Sequence, residues 1–133
     1  MRSVMRTRAV AGRVLLESRP AAPAAARRAV AQACRAWGAG ILESDCELLV
    51  SELVTNAVVH GFDHATIALD LSFDGARLLV AVRQHGADGV AVPTTPSLDR
   101  ESGRGLTIVD SIADEWGSFV VDDELCVWFA LTC

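Results

Sequence analysis

The fold of this chain is decided by one segment near its middle, Ser51-Glu52-Leu53-Val54-Thr55-Asn56-Ala57-Val58-Val59-His60-Gly61. Its apolar residues recur at the spacing of one helical face, which predicts an amphipathic helix. Glu52, Asn56 and His60 are each four residues apart, so they form a polar row along one side of that helix. At about 100° per residue, the row lies at the edge of the apolar face. A carboxylate and an amide held one turn apart at a core margin can together position water and a metal ion.

The composition is that of one globular domain. The chain has 133 residues, of which 51% are hydrophobic, and a formal net charge of −5. No apolar run approaches the roughly 18 residues of a membrane span, and no apolar core of a signal peptide follows the N-terminal arginines. A cytoplasmic protein is therefore expected, with no membrane partner. The negative charge argues against direct nucleic-acid binding, because attraction to phosphates requires basic residues.

Cysteine usage gives no sign of a metal centre. Cys34, Cys46, Cys126 and Cys133 are scattered, with no Cys-x-x-Cys pair and no histidine at ligand spacing. A structural zinc site is therefore not expected. Buried, reduced thiols are the favoured interpretation. All basic residues are arginine, which is typical of a GC-rich bacterial genome.

Hydrophobic periodicity and turn residues predict the order β-α-α-β-β-loop-α-β-β. The predicted elements are a strand over 8–16, a helix over 23–37, a helix from the cap candidates Ser44 or Asp45 to Gly61, strands over 66–73 and 78–83 joined at Asp74-Gly75, a helix over 103–116, and a hairpin of 118–122 with 125–131. Gly12 is expected to weaken the first strand or mark a bulge. Gly117 is expected to end the third helix. This order predicts an α+β fold, a two-layer sandwich with three helices on one face of a mostly antiparallel sheet.

Two further features suggest a ligand. Residues 84–102 lack periodicity, and so long a loop in a small domain is often a functional lid. The Gly103-Arg104-Gly105-Leu106 turn that follows opens a helix, whose N-terminal amides can contact a phosphate. Taken alone, these glycines could merely cap a helix, and the Glu52–Asn56 pair could be solvated surface. His60 is interpreted as a helix-end residue near the C-terminal dipole.

In this order, the motifs resemble the GHKL, or histidine-kinase-like, ATPase superfamily, and within it the stand-alone anti-sigma-factor serine/threonine kinase type. ELVTNAVVHG (52–61) resembles its N box, SGRGLTIVDSIADEWG (102–117) its second glycine box with the following helix, and VWFAL (127–131) its terminal strand. The resemblance extends over residues 8–132. It implies a single Bergerat-type ATP-binding domain over 1–133, with a flexible N-terminus over 1–7 and a lid over 87–102.

The resemblance also implies roles for individual residues. Glu52 would be the general base, and Asn56 the Mg²⁺ ligand that bridges the nucleotide phosphates. The turn under the triphosphate would be formed by Gly103, Arg104, Gly105 and Leu106. The implied reaction is phosphoryl transfer from ATP to a serine or threonine of a partner protein. The implied partners are a sigma factor or its antagonist protein, bound by a homodimer.

The chain departs from the family pattern at the adenine pocket. Gln84 stands where the family has an aspartate that accepts a hydrogen bond from the adenine amine. Gly86 fits the first glycine of that box, but the next glycine, Gly89, is one residue late. Cys126 stands where relatives often have a threonine that helps to hold the adenine. Loss of the charge-assisted bond predicts roughly 5- to 150-fold weaker binding.

Three hypotheses remain open at this point. The favoured one is an ATP-binding regulator with kinase activity and a weakened adenine site. The second is a nucleotide-independent protein-binding module of the same fold that does not hydrolyse ATP. The third is a structural or dimerising domain, which the joint presence of Glu52, Asn56 and the glycine turn disfavours.

Overall fold

The computed structural model describes residues 9–61, 65–85 and 103–133. Its elements follow the predicted order: β1 (Val10–Glu17), α1 (Ala22–Ala36), α2 (Glu43–His60), β2 (Thr66–Phe73), β3 (Arg77–His85), α3 (Gly103–Ile112), β4 (Glu115–Val121) and β5 (Glu124–Thr132). A single 3₁₀ turn, Gly40–Leu42, leads into α2. The expected N-terminal segment 1–7, the lid 87–102 and Gly86 lie outside the described residues.

The five strands form one antiparallel sheet in the order β1-β2-β3-β5-β4. Successive side chains of a strand point to opposite faces, and one face of this sheet is the floor of the core. Leu71, Val80 and Phe129 are aligned on that face on three neighbouring strands, and all are buried. The helices pack on the same face, where Leu49 of α2 and Val109 of α3 are fully buried. The predicted α+β two-layer sandwich is confirmed.

The connection between α1 and α2 explains why α2 begins earlier than predicted. Gly38 has a positive φ of 77° and ends α1, and the Ala39 N–H donates to the Cys34 carbonyl at 2.8 Å, as in a Schellman motif. The 3₁₀ turn then places buried Leu42 at the N-cap. The prediction that Ser44 or Asp45 caps α2 was therefore wrong, since both lie within its first turn. No helix among the described residues is long and apolar enough to cross a membrane.

The boundary between α3 and β4 also differs from the prediction. The helix ends at Ile112 rather than at Trp116, because Asp114 already joins the sheet. The Asp114 N–H donates to the Ala130 carbonyl at 2.9 Å, and the Asp114 carboxylate accepts a hydrogen bond from the Thr132 N–H at 2.6 Å. Gly117 lies inside β4, where an added Cβ would be 3.1 Å from Trp128 Nε1. The absence of a side chain there lets the indole lie across the strand.

Two turns and one strand complete the comparison with the sequence. The Asp74-Gly75 turn is confirmed, and the Asp74 carboxylate accepts the backbone N–H groups of Ala76 and Arg77 at 2.9 and 2.7 Å. The β4–β5 turn is centred one residue before the predicted position, at Asp122 and Asp123, with φ of 50° and 65°. Gly12 marks no bulge, because it pairs regularly with Leu71.

Three of the four cysteines are buried, as predicted, whereas Cys133 is exposed, and all four are free. Cys34 of α1 and Cys46 of α2 contact each other in the core. Their hydrogen bond, together with burial, raises the pKa of the Cys46 thiol. These buried thiols therefore act as small neutral core residues.

The sheet face away from the helices carries a network of charged side chains. Arg13 on β1 makes two hydrogen bonds to Asp70 on β2, at 2.6 and 3.0 Å, and Arg83 on β3 makes one at 3.0 Å. The hydrogen bonds from Arg13 are the largest cause that holds the pKa of Asp70 below its ordinary value. Asp70 therefore connects three strands on the face that no described helix covers.

We expect Asp70→Asn to lower the free energy of unfolding at neutral pH and to flatten its acid dependence. The folded-state pKa of Asp70 lies below the unfolded value of about 4. The ion pairs therefore stabilise the fold above the unfolded pKa, and this stabilisation is lost as the pH falls through the folded pKa. Urea unfolding of both proteins between about pH 7 and pH 2 measures the difference, which should shrink on acidification. The exposed Asp45→Asn variant is the control. A constant gap between wild type and Asp70→Asn at every pH would contradict the prediction.

Candidate functional site

The candidate site begins on the C-terminal half of α2. Glu52 and Asn56 are both half-buried. The side of α2 that faces α1 is marked by Ser51, whose hydroxyl accepts a hydrogen bond from Arg27 at 2.8 Å. On the helical wheel, Glu52 and Asn56 lie roughly 100° and 140° from Ser51. They therefore point away from α1, at the margin of the buried face, as the sequence pattern predicted.

The end of α2 touches the end of β3. Gly61 ends the helix in an extended conformation, and its N–H donates to the Ala57 carbonyl at 2.9 Å. A Cβ on Gly61 would lie 2.6 Å from the Ala57 carbonyl oxygen and 3.0 Å from Gln84 Oε1. The two segments can approach this closely only because residue 61 has no side chain. Along the helix axis, Asn56 lies about 7.5 Å before Gly61. His60 is exposed.

Gln84 is the most unusual polar residue of this region. Its side chain is only 6% exposed, and its Oε1 is buried without a hydrogen-bond partner in the described structure. Its cross-strand neighbours on the same face, Ile67 and Leu125, are buried and apolar. Leaving a buried amide oxygen unpaired costs about 1–3 kcal/mol. A ligand that brings a hydrogen-bond donor to this position would remove that cost.

The register separates Cys126 from Gln84. Cys126 pairs with Arg83 and with Phe119, so it lies on the opposite face of the sheet from Gln84. The β5 residue opposite Gln84 is Leu125 instead. Burial raises the pKa of the Cys126 thiol, which keeps it neutral. The expectation that Cys126 shares a pocket with Gln84 is therefore corrected: a shift of one residue along a strand places a side chain on the other face.

The glycine turn lies at the start of α3, as predicted. The helix begins at Gly103 and includes Arg104, Gly105 and Leu106 in its first turn. Its C-terminal end leads within two residues into β4, at the end of the sheet where β3 begins. Gly103 is separated from that end by about 15 Å of helix. Because α3 packs against both α2 and β4, its N-terminal amides lie in the layer that contains Glu52 and Asn56.

The tertiary structure thus brings α2 and Gln84 together and excludes Cys126. The sequence predicts that Gly61 ends a helix, but it reveals neither the contact of Gly61 with Gln84 nor the position of Leu125 opposite Gln84. The signal that could have found Leu125 is the alternation of apolar residues in β3 and β5. Aligning the apolar faces of the two strands restricts their register and so the residues that can lie opposite Gln84.

Comparison with known proteins agrees with this architecture. Residues 16–131 match the histidine kinase-like ATPase domain, and the chain belongs to this family. Family membership implies ATP binding, usually with Mg²⁺.

The chain also resembles a named regulator. It is 30% identical over 83 residues to the protein named anti-sigma F factor of Anoxybacillus flavithermus. The match covers 54% of this chain and 56% of that protein, so the chain spans about half the length of this relative.

We expect Gly61→Ala to lower the free energy of unfolding by about 1–3 kcal/mol, the range for inserting a methyl group into a packed site. The added carbon meets a backbone oxygen at 2.6 Å, which cannot move without distorting α2. Gly40→Ala is the matched control, since an added Cβ there has no atom within 4 Å. Urea denaturation of the three proteins measures the effect. Equal stabilities for the two variants would show that the α2–β3 approach is not tight.

Proposed function

We propose that this protein is an ATP-binding regulator of the anti-sigma-factor kinase type. It acts as a homodimer that binds a sigma factor or its antagonist and phosphorylates a serine or threonine of that partner. The observation that carries the proposal is the unpaired, buried Gln84 Oε1 beside the end of the helix that holds Glu52 and Asn56. The family match and the similarity to an anti-sigma F factor support it.

The residues at the end of β3 fit the base of the nucleotide. Gln84 Oε1 needs a hydrogen-bond donor, and the exocyclic amine of adenine supplies one. Buried Ile67 and Leu125 beside it offer apolar surface to an aromatic ring. A nucleotide base bound there would lie at the end of the sheet, next to the C-terminal end of α2. Binding would satisfy an acceptor that otherwise remains unpaired in an apolar environment.

The residues on α2 fit the phosphate end. Asn56 offers a neutral amide oxygen of the kind that Mg²⁺ accepts. The described residues contain no group of three or more His, Cys, Asp or Glu side chains that could enclose a metal. This suits Mg²⁺, which usually takes few protein ligands and completes its shell with phosphates and water. The N-terminal turn of α3, Gly103 to Leu106, would offer backbone amides to the phosphates.

Glu52 is the residue best placed to handle the proton of the transfer. Its carboxylate lies one helical turn before Asn56 and is half-buried, so a partner protein can reach it. There it would accept the proton of the partner's hydroxyl group as that oxygen attacks the phosphoryl group. ATP, when bound, would supply the transferred phosphoryl group and leave as ADP. Most of the catalysis in such reactions comes from positioning and charge neutralisation.

We expect Asn56→Ala to remove the Mg²⁺ dependence of nucleotide binding and to lower the affinity at least about tenfold, while the domain remains folded. Calorimetric titration with ADP, with and without Mg²⁺, measures the affinity, and thermal unfolding checks the fold. Thr55→Ala is the control, because Thr55 is the exposed neighbour on the same helix. An unchanged affinity for Asn56→Ala would exclude the Mg²⁺ role. A folded wild-type protein that binds no nucleotide at millimolar concentration would favour the nucleotide-independent binding module instead.

We expect Glu52→Gln to reduce phosphorylation of the partner by roughly 10²–10⁴-fold, the usual contribution of a general base. Nucleotide affinity should stay within about threefold, since the substitution keeps size and polarity. Single-turnover transfer from labelled ATP to a candidate antagonist protein, with calorimetry on the same samples, separates the two effects. Glu47→Gln on the same helix provides the matched control. Transfer at the wild-type rate would show that Glu52 is ordinary surface.

A further inference from the structure

Gln84 has a chemical property that a carboxylate at the same position would lack. Its amide carries an acceptor, Oε1, and a donor, Nε2, on one planar group. Gln84 is only 6% exposed, and its Oε1 has no hydrogen-bond partner in the described structure. A group that is buried, polar and unpaired selects a ligand by hydrogen-bonding pattern rather than by charge.

The two purine bases present that pattern in opposite order. Adenine has a donor at its 6-amino group and an acceptor at N1, whereas guanine has an acceptor at O6 and a donor at N1. A rotation of about 180° about the last side-chain bond exchanges the donor and the acceptor of the glutamine amide. Gln84 can therefore make two hydrogen bonds to either base. A carboxylate accepts only, so it can pair with the adenine amine or with guanine N1–H and the 2-amino group, but it cannot donate to adenine N1 or to guanine O6.

Among the described residues, the side chains beside Gln84 do not select one orientation of its amide. The side chains beside it on the same face are those of Ile67 and Leu125, both apolar. Gly61, which follows α2, lies against Gln84 and has no side chain. Neither Ile67 nor Leu125 carries a charge or a polar side-chain atom that would hold Oε1 on a particular side.

From this geometry we propose that the site takes guanine as well as adenine nucleotides, so that its ligand class is purine nucleoside phosphates in general. This inference rests on the proposed function, because it requires that a nucleotide base binds at Gln84. The side chain that determines base specificity is Gln84.

The decisive measurement is the affinity of the wild-type protein for ADP and for GDP, each with Mg²⁺, by isothermal titration calorimetry. We expect the two dissociation constants to agree within about tenfold, because both bases satisfy the same amide. A dissociation constant for GDP more than about 100-fold above that for ADP would overturn the inference and leave the proposed function intact. If neither nucleotide binds, the proposed function fails and the inference fails with it.

Two variants test whether Gln84 is responsible. Gln84→Glu keeps the shape but, when ionised at about pH 8, leaves only acceptors. Because the carboxylate has no donor for adenine N1 or guanine O6, we expect the ratio of the two dissociation constants to differ at least about tenfold from the wild-type ratio. Gln84→Met keeps the length without polar atoms and should weaken both nucleotides while leaving their ratio near the wild-type value. An unchanged ratio in a folded Gln84→Glu protein would show that base specificity is determined elsewhere.

Discussion

The close approach of α2 to the end of β3 is the constraint on which the candidate site depends. Gly61 allows it, because any side chain there would collide with the last turn of α2 and with Gln84. The approach places Gln84 beside the end of the helix that carries Glu52 and Asn56, the residues proposed to bind the phosphate end of a nucleotide whose base contacts Gln84. The backbone at the end of α2 and the Gln84 side chain at the end of β3 thus lie against each other.

Successive side chains of a strand point to opposite faces of the sheet, and this alternation decides which polar groups lie on the face next to α2. Gln84 and Arg83 are neighbours in sequence, yet they lie on opposite faces of β3. Arg83 joins the partly buried ion-pair network around Asp70, where solvent still screens part of the charge. The side chain of Gln84 is buried on the face of the sheet that the helices cover, where an unpaired amide oxygen is costly. The same strand therefore contributes to the ion-pair network on one face and to the proposed nucleotide site on the other.

Gln84 Oε1 and Ser18 Oγ are buried side-chain oxygens without a hydrogen-bond partner among the described residues. The neighbours of Gln84 on the two adjacent strands, Ile67 and Leu125, are buried and apolar. Local rules are most often broken where a protein binds a ligand, because the binding group must be left without an internal partner. This physical reason connects the buried amide to the proposed nucleotide site.

The sequence by itself determined the order of the elements, the two-layer class and the helical row of Glu52 and Asn56, because these depend on local periodicity. It could not place Cys126, since the face of a strand residue depends on the register with its neighbours. Nor could it predict that β4 begins at Glu115, because Trp116 and Gly117 are compatible with a helix until Asp114 bonds to β5. The contact of Gly61 with Gln84 was decided only by the tertiary structure. Residues 23 positions apart meet there through packing of a helix on a sheet, which no local pattern encodes.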